Sequence, residues 1–265
     1  METYSATPIT NKTANLPLLE WSVTIMGTQT EETRKKTAPP PVSTGLVFEL
    51  EKLAMPGQRL LFEACQKVLK EKQVALTPVL WSRFGLANPL AQGLGRLLAM
   101  LDKKSLVTDK LVHTIQDMFF REIARPAVKL NAALNALLTE ADKLNIKIGA
   151  LSFLPDEQAQ ALLVHLGLQE RLRLRVMQKA AVSVPTPDCW LMTCKAIGVP
   201  ARRCVAVVES AVACNAALEA GLRCVVVPDE FTAYQDFGGA DQVLEDLKDV
   251  HAKDLQALLH SCAFR

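Results

Sequence analysis

Two glutamates stand two positions apart at the end of an apolar run, as Glu49 and Glu51 in the stretch LVFELEKL of residues 46–53. Two carboxylates at this spacing can bind a hard divalent cation, or divide nucleophilic attack and proton transfer between them. The same pattern is also typical of the polar end of a buried strand that does no chemistry. The residues that the rest of the fold brings to this strand end decide between these interpretations.

Polar side chains also follow later apolar runs. Ser152 lies near the end of the second run, and Glu209 and Ser210 follow the fourth. In an open parallel sheet, functional groups collect beyond the carboxyl ends of the strands. Glu49 and Glu209 are therefore candidate ligands of Mg²⁺, and Ser152 is a candidate phosphate-binding residue. The alternative is structural, because serines ahead of helices commonly act as N-caps.

The elements that must position these residues alternate between strands and helices. Strands are predicted for five apolar runs: Gly45 to Leu50, Ile146 to Phe153, Arg173 to Val176, Cys204 to Val208 and Cys224 to Val227. Helices are predicted for Pro155 to Leu166, Pro187 to Ile197, Ala211 to Ala220 and Gly239 to Leu247. Short β-rich runs that alternate with helices of this length indicate a parallel sheet with right-handed crossovers.

The block between the first two strands breaks this alternation. Apolar residues recur there at three and four positions, which predicts helices only: Gln58 to Lys72, Pro78 to Phe84, Leu90 to Leu101, Thr108 to Phe120 and Ala127 to Lys143. The predicted fold is α/β, a Rossmann-like parallel sheet core with an all-helical cap inserted after the first strand. The predicted boundaries are an extended N-terminal arm at 1–45, a core at 46–57 and 144–265, and a cap at 58–143.

The arm is rich in Thr, Pro, Asn and Ser, and it ends in a run of three prolines. Within it, residues 16–26 are apolar enough that leaving them in water would be unfavourable. They either pack on their own domain or bind a partner protein. The residues that would make a partner contact are Leu16, Leu18, Leu19, Trp21 and Ile25.

Composition excludes several function classes. The net charge of +2 and the absence of long basic runs give no electrostatic basis for nucleic-acid binding. No apolar stretch is long enough for a membrane-spanning helix, so membrane insertion is not expected. The N-terminal residues have the features of neither a signal peptide nor a transit peptide, which leaves the organelle open. The seven cysteines form no CxxC pair, which favours reduced, structural thiols in a reducing intracellular compartment.

Two C-terminal passages carry a resemblance to a known family: PTPDCWLMTCKAIGVPARRCVAVVES and NAALEAGLRCVVVPDEFTAYQDFGGADQVLEDL. Together with a helical insert directly after the first strand, they resemble the beta-phosphoglucomutase-like branch of the haloacid dehalogenase (HAD) superfamily. The resemblance covers residues 46–259. It implies that Glu49 stands at the position of the nucleophile, Glu51 at that of the general acid and base, and Ser152 at that of the phosphate ligand.

The motifs depart from the family pattern at most of these positions. Glutamates replace the aspartates at 49 and 51, and lengthening a nucleophile by about 1 Å can cost roughly 100-fold in rate. Val184 replaces the family's lysine, a type of electrostatic clamp that is commonly worth about 3–4 kcal/mol in the transition state. Val208 and Glu209 replace the acidic pair that holds Mg²⁺. We do not expect Lys52 or Lys179 to substitute for the lost lysine, because a functional cation must be held by its surroundings.

The predicted function is therefore a catalytically degenerate HAD-like domain that acts as a structural or interaction subunit of a larger assembly, with Glu49 and Glu51 vestigial. Its protein partner would bind through the arm. The alternative is a Mg²⁺-dependent phosphatase or phosphomutase that acts on a small phosphorylated metabolite. A third hypothesis is a protein that binds such a ligand without turnover. No cofactor is expected, or Mg²⁺ if the protein is active.

Overall fold

The computed structural model describes residues 43–86, 89–107, 109–177 and 184–260. Residues 1–42 of the predicted arm, which include Leu16, Leu18, Leu19, Trp21 and Ile25, lie outside the described residues, as does Lys179. The last residue of the predicted arm, Gly45, is the first residue of the first strand.

The core is a six-stranded parallel sheet with the strand order β3-β2-β1-β4-β5-β6. Its strands are β1 (Gly45–Glu49), β2 (Lys147–Ser152), β3 (Arg173–Val176), β4 (Cys204–Val208), β5 (Arg223–Val226) and β6 (Gln242–Val243). The sequence runs continuously apolar in β1 and β4 because these central strands are covered on both faces. The predicted α/β class with a Rossmann-like parallel sheet is confirmed.

The side chains of β1 point alternately to the two faces of the sheet, and they pack into two separate layers of the core. Val47 packs on one face with the helices that follow β3 and β4, whereas Leu46 and Phe48 pack on the other face with the helical block. Successive side chains of a strand point to opposite faces, so one short run of apolar residues supplies both layers. The end of β1 is thereby fixed in the middle of the molecule, with Glu49 only 1% exposed.

Between β1 and β2, the described residues form helices and no strand. The α-helices are α1 (Leu50–Leu53), α2 (Gly57–Glu71), α3 (Pro78–Phe84), α4 (Leu90–Met100), α5 (Asp109–Ile123) and α6 (Ala132–Lys143). Phe62 of α2 contacts both Trp81 of α3 and Phe231, which follows β5, and so joins the block to the core. The division into cap and core at the predicted boundaries stays a prediction.

Helix α6 begins later than the sequence suggests. The prediction placed its start at Ala127, but the chain enters the helix only at Ala132. Asn131 is the N-cap, and its side-chain oxygen accepts hydrogen bonds from the Ala133 and Leu134 amides. Its own amide donates to the Ala54 carbonyl, so the residues before it are held in a non-helical connection.

The remaining helices cover the two faces of the sheet. They are α7 (Asp156–His165), α8 (Pro187–Ile197), α9 (Ala211–Glu219) and α10 (Ala252–His260). The first three agree with the prediction to within about a turn. Helix α10 was not predicted.

The predicted helix from Gly239 to Leu247 is wrong. Gly239 has φ +91, and the chain after it runs alongside β5 as the edge strand β6. The Asp241 carboxylate accepts hydrogen bonds from the Cys224 amide and from the Arg223 guanidinium, and the Asp241 amide donates to the Cys224 carbonyl. These bonds to β5 replace the bonds that a helix would make within itself.

Among the described helices, none is long and apolar enough to cross a membrane. Six cysteines lie in the described ranges, where all are buried and none forms a disulfide: Cys65, Cys189, Cys194, Cys204, Cys214 and Cys224. In this part of the chain they act as small apolar core residues.

Candidate active site at the carboxyl end of the central strands

The carboxyl ends of β1, β2 and β4 bring the candidate residues together. Glu49 pairs in register with Leu151, one residue before Ser152. The Phe153 amide donates a hydrogen bond of 2.8 Å to Oε1 of Glu51, across from the β1 end. Glu209 follows β4 and lies within electrostatic range of Glu49. The structure thus assembles all four predicted site residues at one edge of the sheet.

Glu49 forms an ion pair with Lys52. Nζ of Lys52 lies 2.7 Å from Oε1 of Glu49, while the Lys52 side chain is 14% exposed and that of Glu49 is 1% exposed. The pair forms because Glu49 is the N-cap of the single-turn helix α1, which places residue 52 one turn above it. Lys52, which we did not expect to substitute for the family's lysine, thus reaches the site with its ammonium group.

The charge of Lys52 acts on more than one carboxylate. Burial lowers the pKa of the ammonium, but Glu49, and to a smaller extent Glu209 and Glu51, raise it by more, so the net shift is upward. Lys52 is therefore held in its charged form. At the position of the family's lysine, partly buried Val184 contributes no charge.

Glu51 lies in surroundings that favour its protonated form. Burial raises the pKa of its carboxyl, and the nearby Glu49 carboxylate adds to the rise, although the Phe153 amide and the Ser152 hydroxyl work against it. Oε2 of Glu51 has no hydrogen-bond partner among the described residues. A carboxylic acid in this state is able to donate a proton.

Glu209 is accompanied by a carboxylate that the sequence analysis missed. Glu209 keeps some exposed surface, yet it is enclosed closely enough that burial raises its pKa to about 8, with Asp229 adding to the shift and Lys52 opposing it. Asp229 follows β5 and accepts hydrogen bonds from the Phe231 amide and the Thr232 hydroxyl. The apolar run from Cys224 to Val227 is followed directly by Pro228 and Asp229, and this sequence feature could have identified Asp229 as a site residue.

The two serines have local partners. The Ser210 hydroxyl accepts a hydrogen bond from the Ala213 amide, so Ser210 is the N-cap of α9, as the structural alternative predicted. Ser152 is fully buried, and its hydroxyl accepts a hydrogen bond of 3.2 Å from the Leu154 amide. Pro155, rather than Ser152, stands at the N-cap position of α7.

A cavity of about 180 Å³ lies against Glu51 and Lys52, on the side of the helical block. Its walls are mostly apolar, and the amide side chains Gln58 and Gln116 are its other polar groups. The apolar walls are formed by Leu61, Leu86, Leu90, Phe119, Phe120, Phe153, Leu154 and Pro155. No local sequence pattern indicates this cavity, because residues from four separate segments form it.

Gly57 allows helix α2 to approach the site closely. A Cβ at this position would collide with the carbonyl oxygen of Glu51. The first turn of α2 therefore packs directly on the backbone of the candidate acid, with no side chain between them.

Comparisons with known proteins give sequence relatives and structures of similar fold. No family model matches the chain. It is 24% identical over 213 residues to the predicted phosphatase YhcW of Bacillus subtilis, covering 77% of this chain and 92% of YhcW. It is 27% identical over 138 residues to protein CbbY of Cereibacter sphaeroides, covering 51% of this chain and 60% of that protein.

Solved structures agree in fold. CbbY from Rhodobacter sphaeroides in complex with phosphate superposes with a TM-score of 0.67 at 19% identity, covering 78% of this chain and 96% of CbbY. Beta-phosphoglucomutase from Clostridium difficile superposes with a TM-score of 0.69 at 16% identity, covering 84% of this chain and 100% of the enzyme. The chain is similar in sequence and in fold to proteins of the haloacid dehalogenase superfamily. Its fold is that of the beta-phosphoglucomutase-like branch, as the resemblance implied.

Relatives in the HAD superfamily are hydrolases and phosphatases. The comparisons therefore favour the phosphatase alternative over the predicted structural subunit, and the loss of catalysis that the altered motifs predict finds no support in them.

Phosphatases of this superfamily use Mg²⁺. The donor set of this chain does not fit that ion: in the described ranges, no three His, Cys, Asp or Glu side chains are arranged to hold a metal. Mg²⁺ demands near-ideal octahedral coordination at about 2.0–2.1 Å. One oxygen of Glu49 is already paired with the Lys52 ammonium, which also acts on Glu209.

Proposed function

We propose that this HAD protein is a phosphatase or phosphomutase that acts on small phosphorylated molecules bound in the cavity beside Glu51. The observation that carries the proposal is the position of Lys52, which lines the cavity and is also ion-paired with Glu49. A phosphate attracted to this ammonium from the cavity would lie next to the candidate nucleophile. The similarity to phosphatases supports the same class of reaction.

Phosphoryl transfer would proceed in two half-reactions, in which Glu49 is the nucleophile and Glu51 the general acid and base. In the first, a Glu49 oxygen attacks phosphorus, the ester P–O bond breaks, and Glu51 gives its proton to the departing alkoxide oxygen. The raised pKa of Glu51 suits it to this step. In the second, water or a substrate hydroxyl attacks the phosphoryl group on Glu49 and gives its proton to Glu51, which restores both carboxyl groups. Lys52 balances the charge of Glu49 and of the transferring group throughout.

The cavity indicates the kind of molecule that carries the phosphate. Leucine and phenylalanine side chains form most of its wall, and Gln58 and Gln116 offer a few hydrogen bonds. This lining suits a phosphate monoester with a partly apolar body better than one surrounded by hydroxyl groups. An aryl phosphate is therefore an appropriate first substrate.

The test is to trap the phosphoryl group. The full-length protein is mixed with an aryl phosphate, quenched in acid, and its peptides are analysed by mass spectrometry. A phosphoryl group on the peptide that contains Glu49, and its loss in Glu49→Gln, would support the proposal. The exposed Glu63→Gln variant is the matched control and should retain the label. Labelling of another residue, or no labelling together with no phosphate release, would contradict it.

A second candidate is the predicted interaction subunit without turnover. The observation that favours it is the burial of Glu49, which is 1% exposed and does not line the cavity. Turnover therefore requires the phosphate to reach Glu49 past the Lys52 ammonium, whereas an interaction subunit requires no such access. In this proposal the partner protein binds the N-terminal arm, and deletion of residues 1–44 would release it.

A further inference from the structure

The carboxylates at the strand ends share the charge of one ammonium group in the described part of the chain. Lys52 is paired with Glu49, and its charge also acts on Glu209 and Glu51. Carboxylates gathered in this way repel each other and lose hydration, and the Lys52 ammonium offsets the charge of the Glu49 carboxylate that it contacts.

The chain holds this cation firmly. Lys52 belongs to the single turn α1, whose apolar residues Leu50 and Leu53 are buried at 0% and 3% exposure and anchor the turn in the core. The side chain needs to span only one helical turn to reach Glu49. A cation held this way has lost most of its conformational freedom before any ligand binds, which is the requirement for an effective electrostatic group.

Oxygen donors remain available beside it. Oε2 of Glu49 and Oε2 of Glu51 are buried and have no hydrogen-bond donor among the described residues. Buried carboxylate oxygens without partners are unusual, because leaving one unsatisfied costs free energy. The cluster therefore keeps oxygens of the kind that a divalent cation binds, while the ammonium lies among them.

We propose that the Lys52 ammonium takes the place of the divalent cation in this site, so that the site binds phosphate and phosphate monoesters without a metal ion. The identity of the ligand rests on the proposed function, but the replacement of the metal does not. Removing the ammonium should allow Mg²⁺ to bind, because the buried Glu49 carboxylate would then lack a cation beside it.

The first experiment measures metal binding alone. Thermal unfolding of the full-length protein is followed with increasing MgCl₂ for the wild type, for Lys52→Ala and for Lys67→Ala, which removes an exposed lysine of α2. The midpoint should stay constant for the wild type and for Lys67→Ala, and it should rise in a saturable way for Lys52→Ala. Saturable stabilisation of the wild type, or none of a folded Lys52→Ala protein, would overturn the proposal.

The second experiment uses the wild type only and remains decisive if Lys52→Ala does not fold. Binding of inorganic phosphate is measured by calorimetry in EDTA and again in excess MgCl₂. The two dissociation constants should agree to within about twofold, a difference of roughly 0.4 kcal/mol. Phosphate binding that requires Mg²⁺ would overturn the proposal that Lys52 takes the place of the metal ion.

A wild type that binds no phosphate under either condition would contradict the proposed function. The proposal that Lys52 takes the place of the metal ion would then be judged from thermal unfolding of the wild type with increasing MgCl₂. An unchanged unfolding midpoint would support that proposal, and saturable stabilisation would overturn it.

Discussion

Nζ of Lys52 lies 2.7 Å from Oε1 of Glu49, at the end of the central strand and one helical turn away along the chain. The pair is nearly enclosed by protein, since the two side chains are 14% and 1% exposed. A buried ion pair adds little stability compared with apolar residues, but removal of one partner leaves an uncompensated charge. The pair therefore couples the stability of the core to the charge of the candidate active site.

Replacing Lys52 by methionine should destabilise the protein. Loss of one partner from a buried pair typically costs about 3–5 kcal/mol, and the 14% exposure of Lys52 places the expected cost at the low end. The free energy of unfolding is measured in urea. The exposed pair Arg59 and Glu63 provides the control, and Arg59→Ala should change stability by less than about 1 kcal/mol. An equal effect of the two changes would contradict the role of the buried pair.

The combined variant Glu49→Gln/Lys52→Met should recover part of that loss. Without the carboxylate, the missing ammonium leaves no charge unbalanced, so the two changes should be strongly non-additive in a double-mutant cycle. A sum of independent effects would show that the two residues do not act as a pair.

Stability should fall as the pH rises above the ordinary pKa of Glu209. Its pKa is raised from 4.5 to about 8 by burial and by Asp229, so the folded state binds a proton that the unfolded state has released. Between pH 4.5 and about 8, Glu209 lowers the free energy of unfolding by at most about 1.4 kcal/mol for each pH unit. Below pH 4.5 it adds nothing to the change of stability with pH.

Urea unfolding of Glu209→Gln across this pH range measures that contribution. The variant should lose less stability than the wild type as the pH rises. The control is Glu219→Gln, on the exposed face of α9, which should follow the wild type. A slope that is identical in all three proteins would contradict the assigned environment of Glu209.

Replacing Gly57 by alanine should disturb the site. The added methyl would collide with the Glu51 carbonyl oxygen, so α2 must move away from the cavity wall. Overpacking of this kind costs about 1–3 kcal/mol. Gly95→Ala in α4 is a close control, because a Cβ there meets nothing within 4 Å and alanine favours helix. Urea unfolding should show a loss for Gly57→Ala and none for Gly95→Ala; the reverse order would contradict the packing described.

Replacing Ser210 by alanine should lower stability without changing phosphate affinity. The hydroxyl caps α9 through the Ala213 amide, and loss of an N-cap typically costs about 1 kcal/mol. Urea unfolding and phosphate calorimetry measure the two effects separately. A weaker phosphate affinity at unchanged stability would assign Ser210 to the binding site instead.

Much of the sheet could be predicted from the sequence. β3 and β4 were predicted with the observed bounds. The β4 segment is a short apolar run rich in valine, and the β3 segment alternates charged and apolar residues as a half-exposed strand does. The order of strands and helices then placed Glu49, Ser152 and Glu209 at one edge. The error at 239–247 arose where hydrogen bonds from Asp241 to β5 outweighed local helical periodicity.

The electrostatics of the site could not be predicted in the same way. Whether Lys52 pairs with Glu49 depends on the single turn α1, which is too short to leave a periodic pattern. The contribution of Asp229 depends on how closely it approaches Glu209 across the sheet edge, and the cavity depends on the packing of helices far apart in sequence. These are tertiary distances, and residue types alone do not fix them.

The most direct test of the central claim is hydrolysis of an aryl phosphate and of a broad panel of phosphorylated metabolites by the full-length protein and by Glu49→Gln. We expect phosphate release by the wild type and a loss of at least about 1,000-fold in kcat/KM for the variant, since a covalent nucleophile acts in both half-reactions. No release by the wild type over the whole panel, or equal release by the two proteins, would contradict that claim.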